Sequence, residues 1–182
     1  MVTNPNTEIQ YQSVVDECID LFEKKMHDYG TSWRILRPVS LTDQLFIKAM
    51  RTRTIQENGM SLVNEGQEPE FIGLINYSAL ALVQLELDSD APLELEHSKA
   101  LELYKKELAV TKALMLQKNH DYGEAWRDMR VESLTDLILQ KLHRIKQIED
   151  NKGKTLVSEG IDAGYRDIIN YAAFALIKLK NL

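Results

Sequence analysis

KKMHDYGTSW, residues 24–33, returns as QKNHDYGEAW at residues 117–126, so one His-Asp-Tyr-Gly-x-x-Trp box stands twice in a chain of 182 residues. At an offset of 93, residues 27–58 lie over 120–151, and fifteen of those 32 positions are identical. They include SLTD at 40–43 and 133–136, Lys48/Lys141 and Arg51/Arg144. One extra residue in the next loop moves the offset to 94, which aligns LVNEG (62–66) with LVSEG (156–160) and LINYSALALVQL (74–85) with IINYAAFALIKL (168–179). Repetition this dense identifies a duplicated unit, residues 1–90 and 91–182. The units join near DSDAPLELE (88–96), whose Asp, Ser and Pro mark a connection.

Each unit reads as three helices. Tyr11, Val14, Val15, Cys18, Leu21 and Phe22 recur at spacings of three and four, the period of an amphipathic helix. The counterpart runs from about Glu94 to Asn119 with Gly123 as its stop. The second helix is expected to start at SLTD, capped by Ser or Thr, and to end by Asn58-Gly59 or by Asn151 to Gly153. The third begins after the EG loop and ends near Leu87 or the C-terminus. No period-two run competes, so the expected fold is all-α. A three-helix unit this short buries little alone, and two units about a pseudo-twofold axis complete one bundle core, packed as a single pseudo-dimeric domain. Val14, Cys18, Leu21, Ile75, Leu82, Leu108, Ile145, Ile169 and Leu176 should be buried.

Hydrophobic residues make up 44% and charged residues 27%, the balance of a globular protein. No apolar run reaches the roughly 18–20 residues of a membrane span. The N-terminus lacks the basic and apolar regions of an export signal, and the single Cys18 suits a reducing cytoplasm. A net charge of −6 argues against nucleic acid as a partner. A small anionic ligand held by a few local cations, or by a metal, stays open.

Polar residues interrupt the apolar stripes. In the last helix Asp167, Asn170, Phe174 and Ile177 form a second stripe that begins acidic, and a carboxylate so placed needs a cation, a metal or hydrogen-bond donors. In the middle helix Leu137, Lys141, Arg144 and Ile148 share a face, placing two cations between apolar neighbours. SEGID supplies Glu159 and Asp162, and folding can bring Asp121 near. Four carboxylates and two cations would then surround one end of a bundle. Each residue also has a plainer role: Glu159 and Asp162 as helix-start acids, Lys141 and Arg144 as snorkelling cations, His120 as a helix-end residue, and Tyr122 and Trp126 as packing rings.

HDYG-x-x-W-R, S-L-T-D, K-x-x-R-I and E-G-I-D-x-x-x-x-D-I-I-N-Y-x-x-F-A-L resemble the nucleotide modification associated domain over nearly the whole chain. More remotely the pattern is similar to the MazG-like all-α nucleoside triphosphate pyrophosphohydrolases, whose E-x-x-E and E-x-x-D motifs bind Mg²⁺. The resemblance implies cleavage of an NTP or dNTP to the monophosphate and pyrophosphate, with Mg²⁺ or Mn²⁺, and assembly as a dimer or tetramer, a homodimer being the candidate here. Carried over, Glu159, Asp162, Asp167 and Asp121 would ligate the metal and form the catalytic set. A metal-polarised water would then be the nucleophile. Lys141 and Arg144 would hold phosphate, Tyr122 or Trp126 would stack on the base, and Asn170 would bond to base or sugar. The chain departs from the enzymes at Lys118-x-x-Asp121, where the first acid of E-x-x-E is a lysine. The alternative is a non-catalytic nucleotide-binding or structural module.

The two copies are expected to differ. Gly73 stands where the second unit has Asp167, so the first unit reads as a degenerate site and the second as the functional one.

Overall fold

The computed structural model describes residues 5–59 and 66–182. Among the described residues six helices account for the architecture: α1 (Pro5–Tyr29), α2 (Pro38–Asn58), α3 (Glu68–Glu86), α4 (His97–Tyr122), α5 (Val131–Asp150) and α6 (Ile161–Leu179). Short 3₁₀ turns, Ser32–Ile35 and Ala125–Asp128, follow α1 and α4. No strand occurs among the described residues, and no helix there is long and apolar enough to cross a membrane.

Backbone chemistry sets the boundaries. Gly30 and Gly123 hold φ at +61° and +58°, the left-handed conformation that ends α1 and α4 inside the repeated HDYG box. The expectation that SLTD caps the second helix is corrected. α2 starts two residues earlier, with Pro38 in the first turn, and α5 starts at Val131; neither has a side-chain cap. Proline suits that turn because its missing N–H would have no intrahelical partner anyway. Thr42 and Thr135, thus inside the helices, are buried and serve contacts between repeats.

α3 and α6 form the centre and pack most extensively on each other, with α2 and α5 flanking them. Both central helices are apolar around most of their circumference, as buried helices must be. Eight of the nine core residues expected from sequence are buried; Leu21 is half-exposed because it lies on a cavity wall.

The repeats touch through reciprocal contacts. Tyr11 Oη donates to Asn170 Oδ1 at 2.7 Å, and its counterpart Tyr104 Oη donates to Asn76 Oδ1 at 2.6 Å. Thr42 donates to Glu149 Oε1 at 2.7 Å, while Gln56 donates to Thr135 Oγ1 at 2.9 Å. Asp43 pairs with Lys146 at 2.6 Å, and Asp136 lies 3.8 Å from Arg53. When residue i of one unit meets j of the other and j meets i, the interface is isologous, the pattern a twofold relation produces.

The connection at residues 87–96 is fastened down. Arg34 Nη2 donates to the carbonyls of Ala91 and Pro92 at 3.0 and 3.2 Å, and Thr31 Oγ1 bonds to Leu93 O and Leu95 N. One buried feature breaks the symmetry. Arg166 Nη1 lies 2.9 Å from Glu107 Oε2, whereas the equivalent first-repeat positions are Ile72 and Val14.

Candidate functional site

In the second repeat α4, α5 and α6 enclose a cavity of about 500 Å³. Asp167, in the second turn of α6, is 8% exposed, and its carboxylate is held from two sides: Lys141 Nζ at 2.7 Å and Lys118 Nζ at 2.9 Å. Lys141 comes from α5, as expected. Lys118 comes from the end of α4, at the position where the sequence has a lysine in place of an acid, and it is the second partner of the Asp167 carboxylate.

The remaining sequence-derived residues separate. Glu159 borders the same cavity as Asp167, Lys118 and Lys141. Arg144 is exposed and lines a small adjoining space with Glu159 and Asp167. Asp162 and Asp121 are exposed and line neither space; Asp121 instead meets His120 at 3.2 Å. The structure does not bring the four expected carboxylates, Glu159, Asp162, Asp167 and Asp121, together around one point. No three His, Cys, Asp or Glu side chains among the described residues come together as a metal-holding group. The physical reason is local: two ammonium groups already satisfy the one buried acid.

The rings also divide. Trp126 is 6% exposed, stacks on Phe174 at 4.4 Å with planes 6° apart, and carries the Arg127 guanidinium 4.4 Å from its centroid. Its Nε1 donates to Asn119 Oδ1 at 3.0 Å. Trp126 is thus built into the cavity wall, with Phe174 and Arg127 against its ring. Tyr122, 74% exposed, stands at the rim, and Tyr171 is half-buried in the lining. Asn170 also lines the cavity, with its Oδ1 accepting from Tyr11 Oη at 2.7 Å.

The first repeat is not an empty copy. Gly73 does occupy the Asp167 position, but Glu70, one turn earlier, is 5% exposed and supplies the carboxylate. Arg51 Nη1 bonds to Glu70 Oε1, and Lys48 Nζ lies 3.8 Å from Oε2. The second repeat has Gly164 at the Glu70 position, so acid and glycine have changed places along the helix. Neighbouring helices fill both gaps: a Cβ on Gly73 would lie 2.8 Å from Lys48 Cδ, and one on Gly164 would lie 3.0 Å from Ile145 Cδ1. The expectation of a degenerate first site, drawn from Gly73 at the Asp167 position and Pro69 at the Ala163 position, did not include this exchange. Glu65, the first-repeat counterpart of Glu159 at the offset of 94, lies outside the described residues.

Burial by itself raises the Asp167 carboxyl, but the hydrogen bonds and charges of Lys141 and Lys118 outweigh it and hold the group below the ordinary value. A carboxyl depressed in the folded state stabilises the protein above its unfolded pKa, and that contribution is lost as pH falls through the folded value. The stability gap between wild type and Asp167→Asn should therefore be constant near neutrality and shrink below about pH 4. Urea midpoints for the two proteins across that range measure it.

These features define a class: a duplicated all-α bundle with a cavity of rings and paired charges in each repeat. Residues 25–85 and 118–179 each match the nucleotide modification associated domain 1, and the chain belongs to that family. No curated protein and no solved structure matches the chain.

Proposed function

We propose that this protein binds a nucleoside phosphate in the cavity of the second repeat. The observation that carries the reading is the convergence of Lys118 and Lys141 on one buried carboxylate at the polar end of a ring-lined cavity. A volume of about 500 Å³ lies within the range of small-molecule sites, roughly 300–1,000 Å³. Each ammonium has three N–H groups, and the bond to Asp167 uses one. The others can donate to phosphate oxygens, with Arg144 nearby as a third cation. Asp167 is a positioning residue in this reading, fixing two flexible lysines before the ligand arrives. Tyr122 and Tyr171 offer ring surface to a base, and the amide of Asn170 offers a donor to base or sugar.

A Mg²⁺ centre does not fit the described arrangement, because two cations occupy the carboxylate a divalent ion would need. Pyrophosphohydrolysis, NTP or dNTP to monophosphate and pyrophosphate, is the second reading. It is favoured by one observation, that Glu159 and Asp167 border the same cavity. The test is calorimetry with each ribo- and deoxynucleoside triphosphate, alongside an assay for released pyrophosphate with Mg²⁺ and with Mn²⁺. Binding without product supports the proposed reading, product supports the second, and the absence of both contradicts each.

A further inference from the structure

The larger of the two cavities, about 750 Å³, belongs to the first repeat. Its lining reproduces that of the second position by position: Lys25 for Lys118, Trp33 for Trp126, Lys48 for Lys141, Asn76 for Asn170 and Tyr77 for Tyr171. A copy kept only for packing would have no need of a buried acid at its polar end. Yet Glu70 restores one a turn away from the position that Gly73 vacated, and Arg51 and Lys48 converge on it.

A second difference concerns the tryptophan. In the second repeat Asn119 accepts the indole N–H of Trp126. The equivalent first-repeat residue is Met26, and Trp33 Nε1, buried in a residue 7% exposed, has no hydrogen-bond partner among the described residues. An unpaired buried donor costs about 1–3 kcal/mol unless something accepts from it. Trp33 borders the first cavity, so a ligand placed there is the available source of an acceptor.

The geometry points to the first-repeat cavity as a second, separate nucleoside-phosphate site, with Lys48 and Arg51 at the phosphates and Trp33 as an unmet donor in its wall. This rests on the nucleotide-binding reading of the second repeat. The sites are not interchangeable. The planar guanidinium of Arg51 can bind a phosphate through two parallel N–H bonds, which the ammonium groups of the second site cannot do. The exchanged acid and glycine also shift the polar end by one helical turn.

The chain has two tryptophans, one in each cavity wall, so each site carries its own fluorescent reporter. Trp126→Phe leaves Trp33 as sole emitter, and Trp33→Phe leaves Trp126. Each variant is titrated with the four deoxynucleoside triphosphates in EDTA, and calorimetry on the unmodified chain counts the sites. The expected result is two sites per chain and a saturable response from each tryptophan. Adding Lys48→Met, Arg51→Met and Glu70→Gln together, so that no buried carboxylate is stranded, should weaken the Trp33 response at least tenfold. The Trp126 response should be unchanged. A Trp33 emission that stays constant while Trp126 responds, with one site by calorimetry, overturns this inference and leaves the second-repeat reading intact. Silence from both reporters with no heat of binding overturns both.

Discussion

Replacing Arg166 by Ala should destabilise the protein by about 3–5 kcal/mol, the range seen when a buried ion pair loses one partner. Glu107 is 5% exposed and sits on the core side of α4. The pair is poorly built: Arg166 Nη1 and Glu107 Oε2 are 2.9 Å apart, yet that oxygen has no properly angled hydrogen bond. Its attraction therefore has to offset two desolvations with little directional help. The first repeat shows the apolar alternative, with Ile72 and Val14 at the same places. Installing that solution as Arg166→Ile with Glu107→Val should leave stability within about 1 kcal/mol of wild type or raise it. At roughly 2–4 °C per kcal/mol for a chain of this size, the single variant should melt on the order of 10 °C lower and the double should recover it. A single variant that melts like wild type would show that the pair is solvated.

Replacing Lys118 and Lys141 together by Met should weaken nucleotide binding by about 30-fold or more. Hydrogen bonds to charged groups contribute about 1.5–3 kcal/mol each, and tenfold in affinity is about 1.4 kcal/mol. The value is set below the low-end sum of about 3 kcal/mol because the Lys118 side chain is 46% exposed and solvent screens it, whereas Lys141 is 18% exposed. Met preserves much of the apolar stem. Adding Asp167→Asn removes the carboxylate that the double variant would strand, so a folded triple variant separates lost affinity from lost structure. Calorimetry gives the affinities, and unchanged binding in the triple variant would move the phosphates elsewhere.

How far the sequence reached follows from the range of each interaction. Helices, their number and their duplication are local, and the repeated spacing of apolar residues exposed them. The cap at SLTD was misread because Ser and Thr before a helix are ordinary caps, while here Thr42 and Thr135 were needed across the repeat interface, a demand no local window contains. Lys118 was visible only as a missing acid: its partner Asp167 lies 49 positions away, and only the fold joins α4 to α6. Glu70 escaped because residue-by-residue alignment compares Gly73 with Asp167 and cannot see a carboxylate moved by one turn. The sequence allows Trp126 either as a packing ring or as a surface for a base, and what decides between them is Phe174 and Arg127 lying against the ring. Its exposure could not be read from the repeated box.

Calorimetry on Asp167→Asn in EDTA with deoxynucleoside triphosphates tests whether cations, with Asp167 as their positioning residue, hold the phosphates. The cation account predicts binding that persists without divalent metal and stays within about tenfold of wild type, since Lys118 and Lys141 remain. Binding that requires Mg²⁺ and disappears in Asp167→Asn would contradict it.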